Sequence, residues 1–246
     1  MNLASRARPL LICYLPIGDP EACAATAARY ADCGVGIIEA GIAVLAPVLD
    51  GAVITDSMHR AVAVGMTGRR AADTLAGELS TISGLAAVWM SYAEPTASYL
   101  TMVAESGACG VLLPDADQDA LSATLAATPA ARSLHAIPFL PRPPTAVQIE
   151  AARSASAYVM LAAAGVTGGR AEVGADNAAV LTDLRRAGVS APIVLGFGIG
   201  TAAQAQRAIE LGADGVVVGS ACVRAALDGP DALTRLLDDL RRGLDG

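Results

Sequence analysis

Short β-branched or aliphatic runs recur along the chain, separated by longer amphipathic stretches. The runs are Leu10 to Leu15, Gly36 to Ala40, Leu85 to Met90, Gly110 to Leu113, Ala136 to Leu140, Ala157 to Leu161, Ile193 to Leu195 and Gly215 to Val218. Between them the apolar spacing predicts helices over Pro20 to Asp32, Thr96 to Ser106, Asp117 to Ala127, Ala146 to Ser154, Asn177 to Ala187 and Ala202 to Leu211. The tail from Asp228 to Gly246 reads as one final charged helix. Several helices carry a glycine just past the last apolar turn, as in Asp32-Cys-Gly, Ser106-Gly, Arg186-Ala-Gly and Leu211-Gly, where a left-handed C-cap is wanted. Helix, glycine, strand is the recurring phrase of βα units around a parallel sheet. An open doubly wound sheet shares it, but no GxGxxG follows the first strand, which favours a (β/α)8 TIM barrel of the α/β class. No linker or composition shift divides the chain, so residues 1–246 are expected to form one domain.

Composition narrows the chemistry. The chain is 54% hydrophobic, 17% charged and 3% aromatic, enough apolar material for a large aliphatic core. Its net charge is -7 and it has no basic run, which argues against nucleic acid as a partner. The apolar stretches are short and interrupted, and the N-terminus lacks a signal-type core, so a soluble cytoplasmic protein is expected, with no membrane contact. The five cysteines lie scattered without CxxC spacing and read as core thiols rather than disulfides or zinc ligands. The two histidines, His59 and His135, read as surface or loop residues, and no metal site is expected. All basic residues are arginine; without lysine, no Schiff base to a cofactor or a carbonyl substrate can form. Catalysis is left to carboxylates and backbone dipoles, with no cofactor.

Three glycine-bearing segments follow the last three predicted strands: Gly165-Val-Thr-Gly168, Gly196-Phe-Gly-Ile199 and Gly219-Ser220. Barrels often bind phosphate there, on loop amides and the N-terminus of a short helix. Gly219 and Ser220 offer amides and a hydroxyl without a positive side chain, which suits the scarcity of basic residues nearby. A phosphorylated small molecule is therefore the expected ligand. Glu39 ends the second apolar run, where a carboxyl reaches the barrel mouth. It is either a general acid whose pKa burial raises, or a glutamate satisfied by a hydrogen bond inside the barrel. Asp50, in the loop after the same run, could face it across the pocket. Asp19 reads as a turn or capping residue, and Asp115 as either a site residue or a cap.

Taken together, Gly18-Asp-Pro20, Ile37-Ile-Glu-Ala-Gly41, Pro47-Val-Leu-Asp-Gly-Ala-Val-Ile54, Met90-Ser-Tyr92, Pro114-Asp115, Gly165-Val-Thr-Gly168, Gly196-Phe-Gly198 and Gly219-Ser-Ala221 resemble the tryptophan synthase alpha-subunit family, in order along nearly the whole chain. The resemblance implies retro-aldol cleavage of indole-3-glycerol phosphate to indole and glyceraldehyde 3-phosphate, without metal or organic cofactor. It makes Glu39 the acid-base that protonates the indole ring carbon, and Asp50 the group that stabilises positive charge on the ring nitrogen. It gives the phosphate to Gly168, Gly198, Gly219 and Ser220. Around the substrate it sets Tyr14, Met90, Tyr92, Leu112, Met160 and Phe197, with Thr167 in a closing loop that contacts Asp50.

The chain also departs from the family. The polar run that usually follows the catalytic glutamate reads Ala43-Val-Leu-Ala-Pro47 here, the aromatic usual at Met160 is missing, and Ala162 to Ala164 replace a polar run. Ala43, Ala46, Glu94 and Asp117 are altered at the surface that, in the family, faces a beta-type subunit, which implies weakened or lost association. Two other readings stay open: a non-catalytic alpha-like partner subunit, and a different phosphate-binding barrel enzyme.

Overall fold

The computed structural model describes residues 9–163 and 173–246. Among the described residues nine parallel strands follow one another around the barrel: β1 (Leu10–Pro16), β2 (Ile37–Gly41), β3 (Ala86–Met90), β4 (Gly110–Leu112), β5 (His135–Ala136), β6 (Phe139–Leu140), β7 (Val159–Ala162), β8 (Ile193–Gly196) and β9 (Gly215–Val218). Their hydrogen-bonded order is β5-β4-β3-β2-β1-β9-β8-β7-β6. The run read as one strand from Ala136 to Leu140 is thus cut in two. Pro138 has no N–H to give to a ladder, so regular pairing lapses there. The chain still bonds on both sides of the break: the Ile137 amide donates to the Val111 carbonyl at 2.9 Å, and the Pro138 carbonyl accepts from the Met160 amide at 2.9 Å. The two short strands together act as the fifth stave of a (β/α)8 barrel.

Every strand but β5 is buried on both faces, and alternation sorts its side chains into two cores. Leu10, Ile12 and Tyr14 of β1 join Ile37, Val88, Met90, Leu112, Met160 and Val217 in the barrel interior. Leu11, Cys13 and Leu15 face outward with Ile38, Trp89 and Val111 against the helices. Glu39 lies two residues beyond inward-facing Ile37, so the same period of two carries its carboxyl into the barrel.

The helices are α1 (Ala27–Asp32), α2 (Ala52–Ala63), α3 (Gly68–Leu79), α4 (Ala97–Glu105), α5 (Gln118–Ala127), α6 (Ala146–Arg153), α7 (Asn177–Arg186), α8 (Ala202–Glu210), α9 (Ser220–Leu227) and α10 (Pro230–Asp245). The first is shorter than the spacing from Pro20 predicts. Thr26, in an extended conformation, accepts from the Arg29 amide and starts the helix there. Two helices, α2 and α3, fill the connection from β2 to β3, where the sequence reading placed none. Glycine stops occur as expected, with Gly107 at φ +81° and Gly212 at φ +98°.

The tail begins its helix at Pro230, after Gly229 at φ +109°. Leu233, Leu237, Leu240 and Leu244 form the buried stripe of α10. Each such side chain contributes about 1.5–3 kcal/mol of burial. This helix approaches the start of α8 so closely that a Cβ at Gly243 would lie 2.3 Å from the Ala202 carbonyl oxygen. Of the cysteines, Cys13 and Cys222 are core thiols as expected, whereas Cys23 is exposed. His135 begins β5 and is half-buried, rather than sitting in a loop or on the open surface.

Candidate active site

A cavity of about 380 Å³ opens at the C-terminal ends of the strands. Glu39, from the interior face of β2, forms part of its wall and is only 3% exposed. Burial removes water from the carboxylate and pushes its pKa up to about 7; a hydrogen bond from Tyr158 opposes the shift, and the nearby charge of Asp50 adds to it. The Tyr158 hydroxyl donates to Glu39 Oε1 at 2.8 Å. Glu39 is thus satisfied by an internal hydrogen bond, as one of the two readings expects, and its raised pKa lies near neutrality.

Asp50 reaches the same cavity from the turn that precedes α2. Its pKa is raised by burial, against a hydrogen bond from Tyr92, whose hydroxyl donates to Asp50 Oδ2 at 2.7 Å. Tyr14 runs along the wall between the two ends of the cavity. An added Cβ at Gly219 would lie 4.0 Å from the Tyr14 Cβ, while one at Gly41 would lie 2.0 Å from the Tyr14 hydroxyl. Gly41 is thus glycine because the tyrosine ring tip occupies its side-chain space. Among the described residues, the Tyr14 hydroxyl is the buried side-chain polar atom without a hydrogen-bond partner.

At the other end lie Gly198, Gly219 and Ser220, after β8 and β9. Gly196 at the end of β8 leaves room for Met160: a Cβ there would meet the methionine Cε at 2.4 Å. Phe197 takes φ +65° and its ring lies 5.3 Å from that of Phe139. A left-handed phenylalanine costs about 1–3 kcal/mol and persists only where its surroundings hold it, here between Gly196 and Gly198 at φ +92°. The carboxylates of the β2 side and the amides after β9 are separated by β1 alone. Two strand spacings amount to about 10 Å, the span of a bicyclic ring carrying a short phosphorylated chain.

The cavity thus gathers Tyr14, Glu39, Asp50, Met90, Tyr92, Leu112, Met160, Phe197, Gly198, Gly219 and Ser220, all anticipated from the sequence. Thr167 and Gly168 lie outside the described residues. Asp115 is exposed and borders a separate open groove with Ala46, Glu94 and Asp117. Asp19 is structural: hydrogen bonds from Arg60, Ser57 and the Glu21 amide overcome its burial and hold its carboxyl below the usual range. Arg60 donates to it at 2.6 and 2.8 Å, tying the end of β1 to α2. The sequence reading missed the polar residues Tyr158, Thr201, Gln204 and Arg224, of which the last three line the cavity. Tyr158 faces the interior by the same alternation as Met160, a signal available in advance. Arg224 lines the cavity one turn beyond Ser220 on α9, so a basic side chain is present after all.

Comparison with known proteins agrees with this geometry. A family model described as "Tryptophan synthase alpha chain" matches residues 1–241. A tryptophan synthase alpha chain from Acidothermus cellulolyticus is 36% identical over 251 residues, covering 96% of this chain and 92% of its own. One from Mycobacterium tuberculosis is 34% identical, covering 96% and 89%. A solved structure of M. tuberculosis tryptophan synthase superposes with a TM-score of 0.83 at 29% identity, covering 96% of this chain and 93% of that one.

Proposed function

The chain belongs to the tryptophan synthase alpha chain family, and on that premise we propose that it cleaves indole-3-glycerol phosphate to indole and glyceraldehyde 3-phosphate. The observation that carries the proposal is a buried carboxyl, Glu39, with a pKa of about 7 facing a cavity whose far end is lined by helix amides. Cleavage requires a proton on the ring carbon that bears the side chain, and the loss of one from the neighbouring hydroxyl as the aldehyde forms. A carboxyl populated in both states near neutrality can do both in turn: Glu39 protonates the ring carbon, and the resulting carboxylate accepts the hydroxyl proton as the carbon–carbon bond breaks. Asp50 faces the ring nitrogen and stabilises the positive charge that develops there. Met90, Leu112, Met160 and Phe197 supply an apolar bed for the ring. Gly198, Gly219 and Ser220 receive the phosphate on main-chain amides and a hydroxyl.

Indole release by the purified chain tests this reading. Glu39→Gln keeps the shape and removes the titrating proton, so the rate should fall at least about 100-fold. Undiminished release would remove the assignment.

The outer face supports a second proposal, that pairing with a conventional beta subunit is altered. Tryptophan synthase alpha chains partner with beta subunits. In this chain the loop after β2 presents Leu45 at 76% and Val48 at 66% exposure, bare of the polar side chains the family carries there. Ala46, Glu94 and Asp117 border the adjoining open groove, and Asp117 is already engaged as the cap of α5, accepting from the Asp119 and Ala120 amides. Ala43 is buried, so it contributes through the loop's packing rather than as a contact surface. Sedimentation of the chain mixed with a bacterial tryptophan synthase beta subunit checks this: a stoichiometric, tight complex would contradict it. Among the described residues no helix is long and apolar enough to cross a membrane.

A further inference from the structure

Among the described residues one cationic side chain, Arg224, lines the amide end of the cavity. Arg224 lies four residues after Ser220 in α9, so the two side chains share a helix face, one turn apart, and both line the cavity. The opposite face of α9 carries the buried Cys222, Val223 and Ala226, which fixes the helix in rotation. Among the described residues no acidic side chain pairs with Arg224, whereas Arg29, Arg142, Arg185, Arg207 and Arg241 all have hydrogen-bonded or charged partners.

The neighbouring helix start offers a contrast. In α8, the Thr201 hydroxyl accepts from the Gln204 backbone amide and Gln204 Oε1 accepts from the Gly200 amide, so its end is closed by its own side chains. In α9, among the described residues, no side chain caps the first turn; the Cys222 amide bonds to the Gly219 carbonyl at 2.9 Å, and the Ser220 and Ala221 amides are left beside the cavity that both residues line. Among the described residues, the Ser220 and Ala221 amides, the Ser220 hydroxyl and a guanidinium without an acidic partner therefore meet at one place in a chain whose net charge is -7.

We propose that Arg224 is a phosphate-binding residue, whose guanidinium closes over the phosphoryl group seated on the first turn of α9 and selects a phosphate monoester dianion over an uncharged side chain. The inference rests on the phosphorylated-substrate reading and extends it. Amides and a hydroxyl recognise the shape of a phosphoryl group but supply only partial charge; a guanidinium adds a full charge and two parallel donors. Arg224 is exposed, so water screens it and its contribution is moderate.

The test uses the full chain and two probes, inorganic phosphate and indole-3-propanol phosphate, titrated calorimetrically into wild type, Arg224→Gln, Arg224→Lys and a charge control, Arg235→Gln, on the exposed side of α10. Arg224→Gln should weaken both probes by about fivefold to twentyfold, and Arg224→Lys should recover most of the loss. Arg235→Gln should stay within about twofold, because a distant exposed charge is screened. In turnover, Arg224→Gln should raise KM by the same factor and leave kcat within about twofold, as expected for lost uniform binding. Unchanged thermal midpoints would separate this from a folding defect. If wild type binds both probes and Arg224→Gln binds them equally well, the assignment of Arg224 is overturned while the phosphate reading stands. If wild type binds neither probe, both fall together.

Discussion

The two ends of the cavity are built on opposite principles. At the β2 end, chemistry resides in side chains: Glu39 and Asp50 are carboxyls driven out of water, each held by a tyrosine hydroxyl at 2.8 and 2.7 Å. At the β8 and β9 end, recognition resides in the main chain, and the side chains matter mostly by being absent. A buried carboxyl is costly and is tuned by its surroundings, so small substitutions there alter the proton affinity on which turnover depends. An amide cradle is insensitive to side-chain identity until a new side chain enters the space the ligand needs.

This contrast makes the side-chain end the more fragile in rate. Asp50→Asn retains the size and the contact with Tyr92 but loses the charge, and kcat should fall about 100- to 1000-fold with KM little changed. Steady-state kinetics on indole-3-glycerol phosphate decide it; a loss confined to KM would mean that Asp50 only binds.

The same end should carry a stability cost that the amide end lacks. The pKa of Glu39 is about 7 in the folded chain against 4.5 ordinarily, so between these values the folded state holds more protons than the unfolded state. The extra stability is therefore complete below about pH 4.5 and is lost as pH rises through 7. Above that range the buried charge costs up to about 3 kcal/mol. Glu39→Gln should then be more stable than wild type at pH 8 and close to it at pH 5. Chemical denaturation at the two pH values measures this, and a difference that is the same at both would contradict the burial argument.

Gly219→Ala probes the opposite end with the smallest expected effect. Its Cβ would meet nothing closer than Ile54 at 3.9 Å and Tyr14 at 4.0 Å, so the fold accommodates it. Both neighbours line the cavity, and the methyl would project toward the phosphate position. KM should rise about tenfold with kcat and thermal midpoint nearly unchanged. A collapse of stability instead would show that Gly219 serves the backbone rather than the ligand.

Much of this architecture was legible in the one-dimensional pattern. The apolar runs, the glycine stops and the missing dinucleotide fingerprint pointed to a barrel, and the end of the second apolar run put Glu39 at its mouth. Glycines after the last strands marked the amide end because a backbone site appears in sequence as the removal of side chains. The connection holding α2 and α3 went unread although Ile54, Ser57, Met58 and Ala61, and then Ala71, Ala72 and Leu75, recur at helical spacing on their buried faces, and Pro138 was not seen to cut a strand.

Other features were decided only in three dimensions. Tyr158 and Glu39 are 119 residues apart, and nothing local to either announces the bond that tempers the carboxyl. The seat of Tyr14 against Gly41 and the turn of Arg224 into the cavity depend likewise on which strands become neighbours and how α9 is rotated. The physical reason is range: periodicity and turn chemistry act over a few residues and are written in the chain, whereas desolvation and long-range pairing exist only once the barrel has closed around them.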